Sequence, residues 1–128
     1  MSFPEGLRYT EDHEWALEED GVVTVGITDY AQQTLGEIVF VETPPEGEVF
    51  SAGDSIGAVE STKAVSDIFC PVSGRVVEVN AALVDSPETI NSSPYGEGWL
   101  VKIAADDVSS LGRLMDAAAY ERFVGELE

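Results

Sequence analysis

One cysteine, one histidine and two lysines in 128 residues remove several chemistries at once. Cys70 has no partner for a disulfide within the chain, and Cys70 with His13 is too small a set for a Cys/His zinc site. A catalytic thiol needs a base beside it, and nothing in the sequence puts His13 there. Cys70 ends the apolar run "DIFC" and reads as a small buried hydrophobe. No G-x-S-x-G elbow is present, so Ser-His-Asp chemistry has no foothold. No apolar run reaches membrane-spanning length, and "MSFPEGLRYTEDHEW" lacks the basic and apolar regions of a secretory leader. Its acidity also sets it apart from a transit peptide. The expected place of work is a bacterial or archaeal cytoplasm, or the mitochondrial matrix for a mature eukaryotic chain. Cations are scarce: 6 Lys plus Arg stand against 25 Asp plus Glu, a net charge of −19. Phosphate backbones and anionic membrane surfaces need clustered cations, so nucleic acid and membrane are excluded as partners. Proteins with basic docking surfaces remain, attracted in a salt-sensitive way. Solubility, or adaptation to a salty cytoplasm, accounts for the charge equally well.

What is present is a β-rich chain with a helical end. Apolar residues make up 44% of it, which suits one domain over 1–128, with a β core over about 22–103 and a helical segment over about 106–127. "HEWALEE" and "VVTVGI" read as strands joined by a hairpin turn at Glu19-Asp20-Gly21. "TDYAQQTLG" predicts a short helix after the second strand, capped by Thr28 or Asp29 and ended by Gly36. Further strands follow in "EIVFVE", "SIGAVES", "VSDIFC", "RVVEVN" and "WLVKI", with a long irregular stretch after Asn80. At the end, Ala117, Tyr120, Phe123, Val124 and Leu127 recur at helical spacing behind a capping Asp116. This predicts an amphipathic helix packed on the β body. Gly36–Val41 and Gly74–Val79 share the pattern G-x-[IV]-V-x-V. Two such halves suggest two packed sheets related by an approximate two-fold axis.

Lys63 lies between the two copies, in "ESTKAVSD", at the tip of a predicted hairpin. On spacing alone, a lysine flanked by Glu60 and Asp67 is a solvated, charge-balancing residue. A second reading is a modification site. Acylating the ε-amine makes a long neutral tether, and a tight hairpin presents it from a rigid scaffold. The cofactor then supplies chemistry that the side chains lack.

"GAVESTKAVSDIFCPVSGRVVEVN" resembles a lipoyl domain. With "YTEDHEW", "VGITDYAQQTLGEIVFVE" and "NSSPYGEGWLVKI", the chain resembles the glycine cleavage H-protein family over nearly all of residues 7–103. Biotinyl domains carry Met on both sides of their lysine, where this chain has Thr62 and Ala64. Lipoyl domains of 2-oxo acid dehydrogenases lack the "HEW" and "TDYAQ" segments. Thr62 departs from the Val or Ile more usual in the family but keeps the β-branch.

The resemblance implies a mainly β barrel-sandwich hybrid and a non-catalytic carrier, with lipoate amide-linked to Lys63 and no metal. The arm would take the aminomethyl group of glycine from the pyridoxal-phosphate-dependent decarboxylase (P protein) to the tetrahydrofolate-dependent aminomethyltransferase (T protein). Dihydrolipoyl dehydrogenase (L protein) would reoxidise it, and a lipoylating ligase or lipoyltransferase would attach it. By motif match, Glu14 and Asp67 would line a cleft that shelters the loaded arm, while Glu60, Ser61 and Ala64 would shape the tip for lipoylation. A solvated strand position is the plainer reading of Glu14. Trp15 reads as core, and His13 as a structural hydrogen-bonding residue. Two other functions stay open at this level: a lipoyl relay for other lipoate-dependent systems, and an unmodified β-rich interaction module.

Overall fold

The computed structural model describes residues 1–127. Strands β1 (Arg8–Tyr9), β2 (Glu14–Glu19) and β3 (Val22–Ile27) lead to helix α1 (Asp29–Leu35). Strands β4 (Ile38–Glu42), β5 (Val49–Phe50), β6 (Ser55–Ser61), β7 (Val65–Phe69) and β8 (Gly74–Val79) follow. Two helical turns, α2 (Ala82–Asp85) and α3 (Thr89–Ser92), precede β9 (Val101–Ala105), a 3-10 turn (Val108–Arg113) and helix α4 (Ala117–Leu127). One sheet has the order β1-β2-β3-β9-β8-β5 and the other β4-β6-β7. Every pairing is antiparallel, and the two sheets do not close into a barrel. The two copies of the G-x-[IV]-V-x-V pattern fall on β4 and β8, one in each sheet.

Apolar residues of the two sheets meet between the layers. Val23, Val25 and Ile103 of the large sheet pack with Ile38, Val41, Ile56, Val59 and Ile68 of the small one in a single apolar core. The β2–β3 hairpin turns on Asp20 (φ 53°) and Gly21 (φ 83°), the left-handed pair that a two-residue turn needs. Thr28 caps α1 by accepting from the Ala31 N–H at 3.2 Å.

A second apolar cluster ties both ends of the chain together. Tyr120 of α4 stacks on Tyr9 with ring centroids 4.6 Å apart and planes 8° from parallel. The Tyr120 hydroxyl lies 2.8 Å from His13 Nδ1 and 2.8 Å from Thr28 Oγ1, so one phenol bridges the loop before β2, the start of α1, and α4. His13 therefore has the structural, hydrogen-bonded role expected of it. Burial holds its imidazole below the usual histidine range, against the opposing pull of Asp12.

The structure departs from the sequence reading in three places. The amphipathic helix follows Asp116 as expected, but the helical segment is interrupted before it: Met115 exchanges backbone hydrogen bonds with Tyr9 at 2.8 and 3.0 Å, which holds it extended between the 3-10 turn and α4. The stretch after Asn80 is not irregular, because α2 and α3 each insert one apolar plug, Leu83 and Ile90. One apolar residue per turn leaves no period to detect. Strands β1 and β5 have two residues each, too few to show alternation.

Trp15 is buried and donates from Nε1 to Pro94 O at 2.9 Å. A Cβ on its cross-strand partner Gly26 would lie 2.6 Å from that nitrogen. Gly26→Ala is therefore expected to destabilise the fold by about 3 kcal/mol in urea melts. A loss under about 0.5 kcal/mol would mean the indole is free to move aside.

Candidate functional site

The β6–β7 hairpin presents Lys63. Glu60 and Val65 form the last strand pair, and the Ser61 N–H donates to Ala64 O at 2.8 Å. The Ser61 side chain is buried inside the turn. Its Oγ accepts from the N–H groups of Lys63 at 3.3 Å and Ala64 at 3.1 Å. Thr62, Lys63 and Ala64 are exposed, and Glu60 is exposed beside them. Ser61 thus shapes the tip from within, while Glu60 and Ala64 offer surface.

A third anchor comes from outside the hairpin. The Thr62 N–H donates to Glu37 O at 3.1 Å, tying the tip to the link between α1 and β4. Lys63 Cε lies 3.6 Å from the position a Cβ on Gly36 would take, so the lysine stem runs past that glycine. Among the described residues the one ion pair is Lys102 Nζ to Glu78 Oε1 at 3.8 Å, and Lys102 also sits 5.0 Å over the Trp99 ring. The flanking acids Glu60 and Asp67 do not engage Lys63. Of two lysines, one is occupied and one presents its amine.

Asn91, on α3, is a residue that sequence reasoning missed. Its Nδ2 donates to Gly36 O at 2.8 Å and to Gln32 Oε1 at 3.1 Å, and its Oδ1 accepts from the Ile38 N–H at 2.9 Å. It clamps the segment whose middle residue, Glu37, holds the tip. Its partners lie 53 and 55 residues away, and "TINSSP" carries no local sign of them. Asn91→Ala leaves the Ile38 N–H and Gly36 O without these partners and is expected to cost about 2–3 kcal/mol. Amide exchange at Ile38 and Thr62 should then speed up together. Unchanged exchange at Thr62 would mean that the clamp does not reach the tip.

Glu14 is not a solvated strand residue: only 1% of its surface is exposed. Its Oε2 accepts from the Phe69 N–H of edge strand β7 at 3.1 Å, and its Oε1 accepts from Thr10 Oγ1 at 2.7 Å. Burial pushes its pKa up to about 7, although both hydrogen bonds pull the other way; Asp12 adds a smaller upward push. This carboxyl can hold or release a proton near neutrality, and a cation brought against it would favour the ionised form.

Asp67 precedes Phe69 by two residues on the same strand but is exposed. It helps wall an open groove of about 360 Å³ on the outer side of the small sheet, with Glu42, Pro44, Glu48, Phe50 and Ala58. Glu14 is not among the groove's walls. The two carboxylates are thus neighbours through β7, one beneath the surface and one on it, and do not face one cavity. Cys70 is buried, its Sγ donating to Val72 O at 2.8 Å, and burial pushes its thiol up to about 11, which leaves it a poor nucleophile.

The chain as a whole is similar to known proteins. The family model described as glycine cleavage H-protein matches residues 7–127. The chain is similar to the glycine cleavage system H protein of Anaeromyxobacter sp. strain K, 56% identical over 128 residues and covering 100% of each chain. It is 50% identical over 124 residues to the glycine cleavage system H protein of Bacteroides fragilis, covering 97% of this chain and 98% of that one. The crystal structure of a glycine cleavage system H protein from Mycobacterium marinum superposes with a TM-score of 0.89 at 47% identity, covering 96% of this chain and 99% of that one. The chain belongs to the glycine cleavage H-protein family.

Proposed function

We propose that Lys63 carries a lipoyl group in amide linkage and that this arm makes the chain the carrier of the glycine cleavage system. The observation that carries the reading is an unpaired lysine on a tip held from three directions: across the hairpin, by the Ser61 side chain, and through Glu37. A lipoyl group fits there. The lysine is exposed, the stem passes a glycine, and no side-chain carboxylate among the described residues holds the charge that acylation would remove. When bound, the group supplies a disulfide that can be reduced and that can take up and release the aminomethyl group of glycine.

The chain's own residues position and shelter the arm. The hairpin sets its root. Asp67 lies four residues after Lys63, at most roughly 13 Å away at about 3.3 Å per residue, so an extended lipoyl-lysine spans the distance to the groove. There Glu42, Glu48 and Asp67 present carboxylates to a cationic amine, and Pro44, Phe50 and Ala58 limit water on the apolar side. Glu14 holds the free edge of β7 and carries a proton or a negative charge as its surroundings require.

The partners of this reading are the pyridoxal-phosphate decarboxylase, the aminomethyltransferase, dihydrolipoyl dehydrogenase and the lipoylating enzyme, with the chain itself non-catalytic. Docking that relies on a net charge of −19 weakens as salt screens it. No helix among the described residues is long and apolar enough to cross a membrane, and the relatives are bacterial. A bacterial cytoplasm is the setting we propose.

The test is peptide mapping of the chain co-expressed with a lipoylating ligase and lipoate. One lipoyl group on the peptide holding Lys63 is the expected result. An unmodified chain, beside a control domain that the same ligase does modify, would return Lys63 to an ordinary surface lysine.

A further inference from the structure

Strand β4 does not keep a strict in–out alternation. Its register with β6 shifts between Ile38 and Phe40, the mark of a β-bulge. Val39 and Phe40 consequently both face solvent, 48% and 55% exposed, while Ile38 and Val41 on either side are buried. Phe40 pairs with Glu60, and Glu60 with Val65, which is 65% exposed. Phe40, Glu60 and Val65 therefore form one row across the outer face, immediately before the Lys63 turn. The next row is Glu42, Ala58 and Asp67. Glu60 thus stands between Phe40 and Val65, Val39 lies beside Phe40 on the bulge, and Glu37, Glu42 and Asp67 are exposed on either side of this row.

A bulge that turns an extra apolar side chain outward is unfavourable for an isolated molecule. It exposes hydrocarbon, and it does so on an edge strand, where chains commonly carry charge. The same surface is favourable at an interface, where apolar side chains interspersed with charge give both affinity and orientation.

We infer that this bulged face is the docking surface for the enzyme that acylates Lys63, and that the enzyme meets it with apolar side chains interspersed with Lys or Arg. The inference rests on the lipoyl-carrier reading and names a surface for it. Reach selects the occupant. Enzymes that work on the dithiolane act at the far end of a long arm and can stand clear of the tip. An acylating enzyme must bring its donor to Nζ itself, one lysine side chain from the backbone, so it has to close over the residues beside Lys63. There the neutral amine attacks the acyl carbon of an activated lipoyl donor. The amide C–N bond forms, the leaving group departs with the bonding pair, and the amine's proton passes to solvent. The carboxylates of the face, Glu60 among them, match those basic side chains and give the encounter its salt dependence.

The experiment uses the full unlipoylated chain, a lipoylating ligase, ATP and lipoate, with initial rates followed against chain concentration. Val39→Thr, Phe40→Thr and Val65→Thr together keep β-forming residues while removing the apolar contact. They are expected to raise KM at least about tenfold with kcat unchanged. Phe40→Thr alone should raise it at least about threefold, which keeps the test open if the triple variant folds poorly. Val84→Thr, on an apolar residue 76% exposed on α2, should change nothing. Raising salt should raise the wild-type KM. A KM within about twofold of wild type for a folded variant would overturn the inference. So would an effect confined to the aminomethyltransferase, which would assign the face to a downstream enzyme. A wild-type chain that is not lipoylated at all would instead sink the carrier reading, and this inference with it.

Discussion

Lys63→Arg should reduce glycine-dependent carbon dioxide exchange by the decarboxylase to the level seen without carrier, while the melting curve stays that of the wild type. Arginine keeps the length and charge, so the exposed tip loses no packing. Its guanidinium stays protonated at any working pH and has no free electron pair to attack an acyl donor. The hairpin survives because its bonds come from the backbone and from Ser61 Oγ, not from the lysine side chain. Lys102 is the internal control. It is engaged by Glu78 and Trp99, and it should not take over as the acceptor in the variant. Exchange that persisted with the arginine variant would place the arm elsewhere or make it dispensable.

Glu14→Gln should change how stability depends on pH by about 3 kcal/mol, the linkage equivalent of moving one carboxyl from an ordinary 4.5 to about 7. The sign follows from proton counting. Between those values the folded chain holds a proton that the unfolded chain has released. Stability from this group is therefore fully present below about 4.5 and is lost as pH rises through about 7. Glutamine preserves an acceptor for the Phe69 N–H and does not titrate. Relative to wild type, the variant should gain about 3 kcal/mol between pH 4 and pH 8 in urea melts. The other acids titrate in both proteins and cancel in the comparison. A difference that is the same at both pH values would mean that Glu14 stays ionised in the fold.

Hairpins and caps were legible because they are local. Asp20-Gly21 marks its turn, Thr28 and Asp116 cap their helices, and the Ala119 N–H does reach Asp116 Oδ1 at 2.8 Å. The tip was legible for the same reason, since Ser61, Thr62, Lys63 and Ala64 are consecutive. What stayed hidden depends on distant partners. The burial of Glu14 follows from an edge strand 55 residues away, and no spacing near "HEW" could show it. The Asn91 clamp and the Met115–Tyr9 bridge are of the same kind. The bulge at Val39-Phe40 was hidden differently. "EIVFVE" is an unbroken apolar run that reads as a strand but does not say which side chains face out until the pairing with β6 shows where the register slips.

The most direct measurement of the carrier claim follows a carbon. The lipoylated chain is incubated with the pyridoxal-phosphate decarboxylase and glycine labelled at its methylene carbon, then cleaved and mapped. The account predicts label on the peptide holding Lys63, absent when glycine is withheld and on no other peptide. A decarboxylase that works with another H protein but leaves this Lys63 peptide unlabelled would contradict it.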